Sequence, residues 1–133
     1  MADSQRSVSA RWDGDLRAVV TAGEFELLVD EPTTVSGGTN TGPQPTELLL
    51  GAVASCFTLA VAHSARKRNV PLRDLRVEAT GTYDGPRFAA IRVTVHAAEP
   101  VGEELARLAT AAERVCYVTR TLAGSPELSF VTG

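Results

Sequence analysis

The hydrophobic pattern of the first third of the chain consists of three short alternating segments followed by a segment with no apolar period. Residues 7–12, 16–22 and 24–29 alternate apolar with polar positions, as half-buried strands do. Asp13-Gly14-Asp15 separates the first two segments and predicts a hairpin turn. Residues 30–44 are rich in Gly, Pro, Thr and Asn, so we predict a loop there.

The longest predicted element is a helix from Leu48 to Arg68, which contains no Pro and one Gly. Helical spacing places these residues on one face: Leu49, Ala52, Val53, Cys56, Ala60 and His63. Other Leu, Phe and Val residues extend the apolar surface almost all round. We therefore expect a central helix, wrapped by sheet or partly covered by a second subunit. Asn69-Val70-Pro71 should end it, because a residue before Pro resists the helical conformation.

Alternation returns after this helix and predicts two further strands, Leu75 to Tyr83 and Arg87 to Ala97, joined by a hairpin turn at Asp84-Gly85. Helical spacing follows in Pro100 to Val115 and in a shorter stretch, Cys116 to Ala123.

We predict a last strand at Glu127 to Val131, which makes the element order β-β-β-α-β-β-α-α-β. This order is typical of the α+β class, with antiparallel sheets around a long central helix. A length of 133 residues predicts a single domain, 1–133.

Composition and charge exclude several classes of function. The net charge is −3, with 13 basic and 16 acidic residues, so the chain lacks the basic footprint of a nucleic-acid-binding protein. No stretch reaches about eighteen uninterrupted apolar residues, so no membrane partner is expected. The polar start, residues 1–6, does not resemble a signal peptide. We therefore expect a cytoplasmic location.

The candidate chemistry centres on the two cysteines. A cysteine on the apolar face of a helix, such as Cys56, is most often a small core residue. Cys116 lies where one helical stretch stops and another starts, and N–H groups at a helix start favour the reactive thiolate. A thiolate that attacks a peroxide becomes a sulfenic acid, with which a second thiol condenses to a disulfide. Sequence spacing leaves open whether the two cysteines meet.

The histidines do not complete a metal or base-catalysed site with these cysteines. His63 lies two helical turns from Cys56, roughly 10 Å along the axis, and His96 falls on the polar face of a strand. No close-spaced Cys/His ligand pair occurs, so a zinc site is not predicted. The Gly-rich segment Ser36-Gly37-Gly38-Thr39 is interpreted as a flexible connector.

Two motifs carry a resemblance to a known family. The stretch Gly42 to Cys56, with Pro45-Thr46-Glu47-Leu48 leading into a helix of small residues, resembles the OsmC/Ohr family of thiol-dependent peroxidases. Cys116-Tyr117-Val118-Thr119 is similar to the family's second motif, usually Cys-Pro-Val-Ser, with Tyr117 in place of Pro. The segment Ala10 to Leu16 also resembles the family's first hairpin, so the resemblance spans nearly the whole chain.

The resemblance implies a specific activity. Members are intertwined homodimers with the two long helices central and each active site shared between subunits. Cys56 would be the peroxidatic thiol and Cys116 the resolving thiol, with organic hydroperoxides as substrates. No metal or organic cofactor is implied, and an external thiol, often a dithiol, restores the reduced enzyme.

The sequence departs from the family pattern around the thiol that would attack the peroxide. Well-studied branches carry a Glu ten residues before that Cys, which holds an Arg against the thiolate. Thr46 occupies this position here, and the nearest carboxylate, Glu47, is about 100° away round a helix. The loop of residues 33–44 contains no Arg, which leaves Arg17 of the first hairpin as the candidate cation, with Arg11 behind it.

We therefore predict a dimeric thiol peroxidase with Cys56, Cys116, Arg17 and Glu47 as its candidate site residues. The apolar residues around Cys56 predict a pocket suited to a bulky alkyl peroxide. The alternative is a protein of the same fold that binds a small apolar or thiol-reactive molecule with little or no turnover. The missing Glu and the Arg-free loop favour this alternative.

Overall fold

The computed structural model describes residues 4–133, so the first three residues of the polar N-terminal segment lie outside the described part. The chain divides into two compact units. One comprises the chain up to Leu49 and the other comprises Leu50–Gly133, and each is described by itself.

The N-terminal unit contains a three-stranded antiparallel sheet in the order β1-β2-β3, with β1 Ser9–Trp12, β2 Ala18–Ala22 and β3 Phe25–Val29. All three predicted strands are present, with slightly later starts for each. The predicted turn between the first two strands is confirmed: the Asp13 N–H donates to the Arg17 carbonyl at 2.9 Å. Gly14 and Asp15 adopt positive φ angles of 91° and 47° there, a conformation that Gly and Asp tolerate well.

The loop of residues 30–44 folds around the buried carboxylate of Asp30. This carboxylate accepts hydrogen bonds from the Thr39 hydroxyl, from the Thr41 N–H at 2.9 Å and hydroxyl at 2.7 Å, and from the Glu31 N–H at 2.7 Å. The Thr39 bond, together with the others, holds the pKa of Asp30 well below its ordinary value, although burial raises it. The segment interpreted as a flexible connector is therefore tied to a specific side chain.

Helix α1, Pro45–Lys67, begins three residues earlier than predicted. Pro45 is its first residue, where the absent N–H costs nothing, and the Glu47 carboxylate accepts the Gln44 N–H at 2.9 Å. The helix ends next to Asn69, which has a φ of 56°, and the Val70 N–H donates back to the Ala65 carbonyl at 2.8 Å. This left-handed cap explains why the helix stops just before the predicted Arg68.

The second unit contains α1 from Leu50 onward and a two-stranded antiparallel sheet of β4 Arg76–Asp84 and β5 Arg87–His96. It also contains helices α2 Gly102–Val115 and α3 Tyr117–Ala123. The predicted hairpin between β4 and β5 and the two predicted helices are confirmed. The core contains these buried residues: Phe57, Ala60, Val61, Ala65, Leu108, Ala112 and Cys116. Half-buried Val77, Val93 and Val95 of the hairpin pack against this core.

The buried face of α1 differs in part from the predicted one. Its buried residues are Val53, Phe57, Ala60, Val61, Ser64 and Ala65. Of the predicted face, Val53 and Ala60 are buried and Cys56 is half-buried, whereas Leu49, Ala52 and His63 are exposed. A helix that is apolar almost all round carries no pattern that selects one face, so packing against the rest of the unit selects it.

Helix α1 is also long and apolar enough to cross a membrane by length and composition, the single such helix among the described residues. Its most apolar window has a mean hydropathy of 1.8, and 33% of that window is buried. The criterion of about eighteen uninterrupted apolar residues did not identify this helix, because Gly, Ser, Thr and His residues interrupt the apolar stretch without adding charge. Core helices satisfy the same test.

The predicted strand at residues 127–131 is wrong. This segment has no regular secondary structure, and Leu128, Phe130 and Val131 are 78%, 90% and 93% exposed. Strand geometry needs a neighbouring backbone to complete its hydrogen-bond ladder, and no described strand pairs with this segment. The observed order is β-β-β-α-β-β-α-α, and the predicted α+β class is confirmed.

Candidate active site

Cys116 caps two helices at once. Its N–H donates to the Ala112 carbonyl at 2.9 Å and closes α2, and its carbonyl accepts the Arg120 N–H at 3.1 Å and opens α3. Its own backbone is extended, with φ −79° and ψ 105°. The predicted junction of two helical stretches at this cysteine is therefore confirmed. The side chain is fully buried.

The surroundings of the Cys116 thiol favour its ionised form. Burial raises the pKa of this thiol, but hydrogen bonds from the Thr119 hydroxyl, from the Thr119 and Val118 N–H groups and from the Cys56 thiol outweigh burial. The pKa of Cys116 consequently lies below its ordinary value. A thiol with this property is a better nucleophile near neutral pH than an ordinary buried cysteine.

The structure brings the two cysteines together, which the sequence left open. Cys56, in the middle of α1, is half-buried and packs against the core cluster that contains Cys116. Its thiol lies within hydrogen-bonding reach of the Cys116 thiol, and both cysteines are free. Helix α1 positions one sulfur and the break between α2 and α3 positions the other.

A cleft of about 690 Å³ opens beside Cys56. Its apolar wall includes Leu59, Val115 and Tyr117, which are 70%, 46% and 82% exposed. Its polar lining includes Arg114 and Arg120. A volume of this size is ordinary for a small-molecule site.

Sequence analysis missed Arg114 and Arg120. The first precedes Cys116 by two residues and the second follows it by four, one helical turn later. Their closeness to Cys116 in the sequence is the signal that could have identified both arginines. The cleft that joins these arginines to Cys56 forms only when α1, α2 and α3 pack together.

The other two predicted site residues, Arg17 and Glu47, lie in the N-terminal unit and have local partners. The Arg17 Nε is 3.3 Å from an oxygen of Asp13, and Arg11 pairs with the same carboxylate at 3.6 Å. Glu47 caps the start of α1 through the Gln44 N–H. A catalytic part for Arg17 and Glu47 stays a prediction from the resemblance.

The two histidines are separated in the structure. His63 lines the cleft beside Cys56, whereas the Nε2 of His96 is 2.8 Å from the Glu78 carboxylate on the exposed face of the β4-β5 hairpin. The hydrogen bond with His96 lowers the pKa of Glu78. In the part of the chain that the structure describes, no group of three or more His, Cys, Asp or Glu side chains is placed to hold a metal ion.

Comparison with known proteins shows which family and which structures the chain resembles. Residues 38–131 match the model of the OsmC-like protein family. The chain is 29% identical to the uncharacterised protein YmaD of Bacillus subtilis, over 96% of this chain and 93% of that protein.

Solved structures are similar as well. One from Psychrobacter arcticus, provisionally assigned as an osmotic stress induced and detoxification response protein, matches with a TM-score of 0.75 at 19% identity, over 90% of this chain and 89% of that one. A Vibrio cholerae structure, provisionally assigned as an organic hydroperoxide resistance protein and holding captopril in one of its active sites, matches with a TM-score of 0.64 at 30% identity, over 90% and 86% of the two chains.

Proposed function

Because the chain belongs to the OsmC-like family, we propose that it is a thiol-dependent peroxidase that reduces organic hydroperoxides through Cys56 and Cys116. The observation that carries the proposal is the contact between the two free thiols at the edge of an open cleft. Buried cysteines that serve only as core residues need neither a second thiol nor an access route. The organic hydroperoxide resistance protein among the similar structures supports the choice of substrate.

The proposed reaction has two steps on the protein. The Cys56 thiolate attacks the outer oxygen of the hydroperoxide, the O–O bond breaks, and the alkoxide leaves as an alcohol after taking up a proton. Cys56 is now a sulfenic acid. The Cys116 thiolate attacks its sulfur, an S–S bond forms, and hydroxide leaves as water after taking up a proton. Two thiols and one hydroperoxide become a disulfide, an alcohol and water.

The difference in burial between the two cysteines supports these two roles. Cys56 is half-buried and lines the cleft, so a peroxide can reach its sulfur. Cys116 is fully buried and reaches only its neighbours, so it suits attack on an oxidised Cys56. The lowered pKa of Cys116 keeps a share of this second thiol ionised, which the resolving step requires.

An external thiol completes the cycle, and a dithiol suits it best. Reduction of the Cys56–Cys116 disulfide proceeds by thiolate attack through a mixed disulfide, and a second thiol of the same reductant then releases it. The half-buried sulfur of Cys56, which borders the cleft, is the more accessible point of attack. We place this chemistry in the cytoplasm, where thiol reductants are abundant.

We also propose that the working form is a homodimer. Helix α1 has 23 residues, six of which are buried. The apolar side chain of Leu59 in this helix is 70% exposed. In the C-terminal segment, Leu128 is 78% exposed and Phe130 is 90% exposed. A second copy of the chain would cover such surface, which isolated soluble chains rarely leave open.

A second candidate function is the binding of a small apolar or thiol-reactive molecule with little turnover. Thr46 stands where well-studied family branches have Glu, and this favours the candidate. Captopril, a thiol compound, occupies one active site of the Vibrio cholerae relative. The cleft beside Cys56 would hold a ligand of this kind without any need for Cys116 to react.

One experiment separates the two functions. Reduced protein is mixed with one equivalent of cumene hydroperoxide, and its intact mass is followed over seconds to minutes. A peroxidase loses two hydrogens rapidly as the disulfide forms. Cys56→Ser abolishes the change, whereas Cys116→Ser diverts it to sulfenic or higher oxides of Cys56. No mass change within minutes excludes the peroxidase and leaves the binding function.

A further inference from the structure

A second cleft, which we call the Arg68 cleft, lies between the end of α1 and one face of α2. Its volume is about 450 Å³, which is ordinary for a small-molecule site. Arg68, one residue beyond the end of α1, and Val70 form one side. The other side consists of α2 residues at helical spacing: Glu104, Arg107, Leu108, Thr110, Ala111 and Arg114.

Positive charge predominates in the Arg68 cleft. Among the described residues that line it, the charged groups are three guanidinium groups and one carboxylate, although the whole chain has 13 basic and 16 acidic residues. The carboxylate, Glu104, lies in the first turn of α2, whereas Arg114 lies ten residues later, roughly 15 Å along the helix axis. The middle and the far end of the cleft are therefore positive.

The arginines of this cleft are not neutralised by strong ion pairs. Arg107 pairs with Glu103 at 3.7 Å, but these side chains are 69% and 94% exposed, so water screens the pair and it contributes little. Within residues 4–133, Arg68 and Arg114 form no salt bridge. Like charges around one concave surface produce a positive potential that attracts anions.

Helix stabilisation explains only part of this arrangement. Arg66-Lys67-Arg68 is a run of basic residues at the end of α1, and cations at that end of a helix interact favourably with its dipole. The same effect applies to Arg114 in the last turn of α2. It does not apply to Arg107 in the middle of α2, and it does not require the three arginines to line one cleft.

We propose that the Arg68 cleft binds a small organic molecule that carries two or more phosphate groups. A guanidinium group donates paired hydrogen bonds to phosphate oxygens, so each arginine is suited to a phosphate group. Arg107 and Arg114 are seven residues apart, roughly 10 Å along the helix axis, which suits a chain of phosphates better than a single one.

The floor of the cleft suits the organic part of this ligand. Leu108 is 1% exposed and closes the cleft from below, and Val70 and Ala111 are half-buried beside it. An apolar floor with a few charged groups at its rim is the usual form of a small-molecule site. The cleft contains neither cysteine, so the proposed binding is independent of the proposed peroxidase function.

Isothermal titration calorimetry of the reduced full chain at low salt tests the proposal with phosphate, pyrophosphate, tripolyphosphate and ADP. We expect the affinity for tripolyphosphate to exceed that for phosphate by about tenfold or more, because more guanidinium groups take part. ADP should bind at least as tightly as pyrophosphate, because its nucleoside covers the apolar floor. Binding should weaken as salt screens the charges.

Matched variants locate the bound probe. Arg68→Gln and Arg107→Gln should each weaken tripolyphosphate binding by about tenfold, whereas Arg107→Lys keeps the charge and should weaken it less. Arg92→Gln removes an exposed arginine of β5 outside the cleft and should leave the affinity unchanged. Cys56→Ser should also leave it unchanged, which separates this site from the cysteine pair. Circular dichroism confirms that each variant is folded.

Several results would overturn the proposal. One is the absence of binding by all four probes at concentrations up to about 1 mM. Another is equal affinity for phosphate and tripolyphosphate, or for wild type and both Gln variants of the cleft. An equal loss in Arg92→Gln would show a response to net charge alone, and a loss in Cys56→Ser would place the probe in the other cleft. ADP binding weaker than pyrophosphate binding would refute the part assigned to the apolar floor.

Discussion

Leu108 supports the wall of the core behind the cysteine pair, and its replacement by Ala offers a quantitative test of the packing described above. Its side chain is 1% exposed and belongs to the cluster that contains Phe57, Val61, Ala112 and Cys116. Leu108, Ala112 and Cys116 are spaced by four residues, so they follow one face of α2 and its cap. A cavity at Leu108 therefore forms beneath the segment that positions the Cys116 thiol.

The expected cost has two contributions. Removal of three buried carbons loses about 2 kcal/mol of transfer free energy, at roughly 0.8 kcal/mol per methylene. A residual cavity on the order of 60 Å³ adds about 1.5 kcal/mol, at roughly 24 cal/mol per Å³. We therefore expect Leu108→Ala to lower the free energy of unfolding by about 3 to 4 kcal/mol.

Urea denaturation followed by circular dichroism measures this change, with Leu128→Ala as the matched control. Leu128 is 78% exposed in the C-terminal segment, so the same substitution should cost less than about 0.5 kcal/mol there. The cavity should also slow disulfide formation in Leu108→Ala. A loss below about 1.5 kcal/mol in this variant, or an equal loss in both variants, would refute the packing argument.

Three other predictions concern the Cys116 thiol and the loop of residues 30–44. Thr119→Val removes the hydroxyl that most strongly lowers the pKa of Cys116, so this pKa should rise and the pH profile of disulfide formation should move to higher pH in stopped-flow mass measurements. Because the pKa of Asp30 is lowered in the folded protein, its ionised carboxylate contributes stability above the ordinary pKa of 3.8, and this contribution is lost as the pH falls through the pKa of the folded state. Asp30→Asn should remove this dependence on acid in unfolding experiments below about pH 4. Gly38→Ala places a methyl group against the backbone carbonyl oxygens of Pro32 and Glu31, which cannot move aside easily, so this substitution should lower the melting temperature by several degrees. Gly23→Asn, at an open turn with a φ of 60°, should lower the melting temperature far less.

The sequence by itself determined the features that depend on neighbouring residues. Period-two alternation and the turn residues Asp13-Gly14-Asp15 and Asp84-Gly85 located five of the six predicted strands. Pro71 and the change of pattern at Cys116 located helix ends to within a few residues. These signals are reliable because turn geometry and helix caps act over three to five residues. The motifs around Cys56 also led to the family, which the match over residues 38–131 confirms.

Tertiary structure decided everything that joins distant segments. The buried face of α1 could not be read from a helix that is apolar almost all round, so packing selected Phe57 and Ala65 over Ala52 and His63. Residues 127–131 have the alternation of a strand, yet a strand forms only where another backbone accepts its hydrogen bonds. The contact between Cys56 and Cys116, sixty residues apart, depends on how α1 lies against the junction of α2 and α3. The placement of Arg114 and Arg120 beside Cys56 follows from the same packing. Local sequence patterns determine which helices and strands form, whereas the shared core determines how these elements lie against one another.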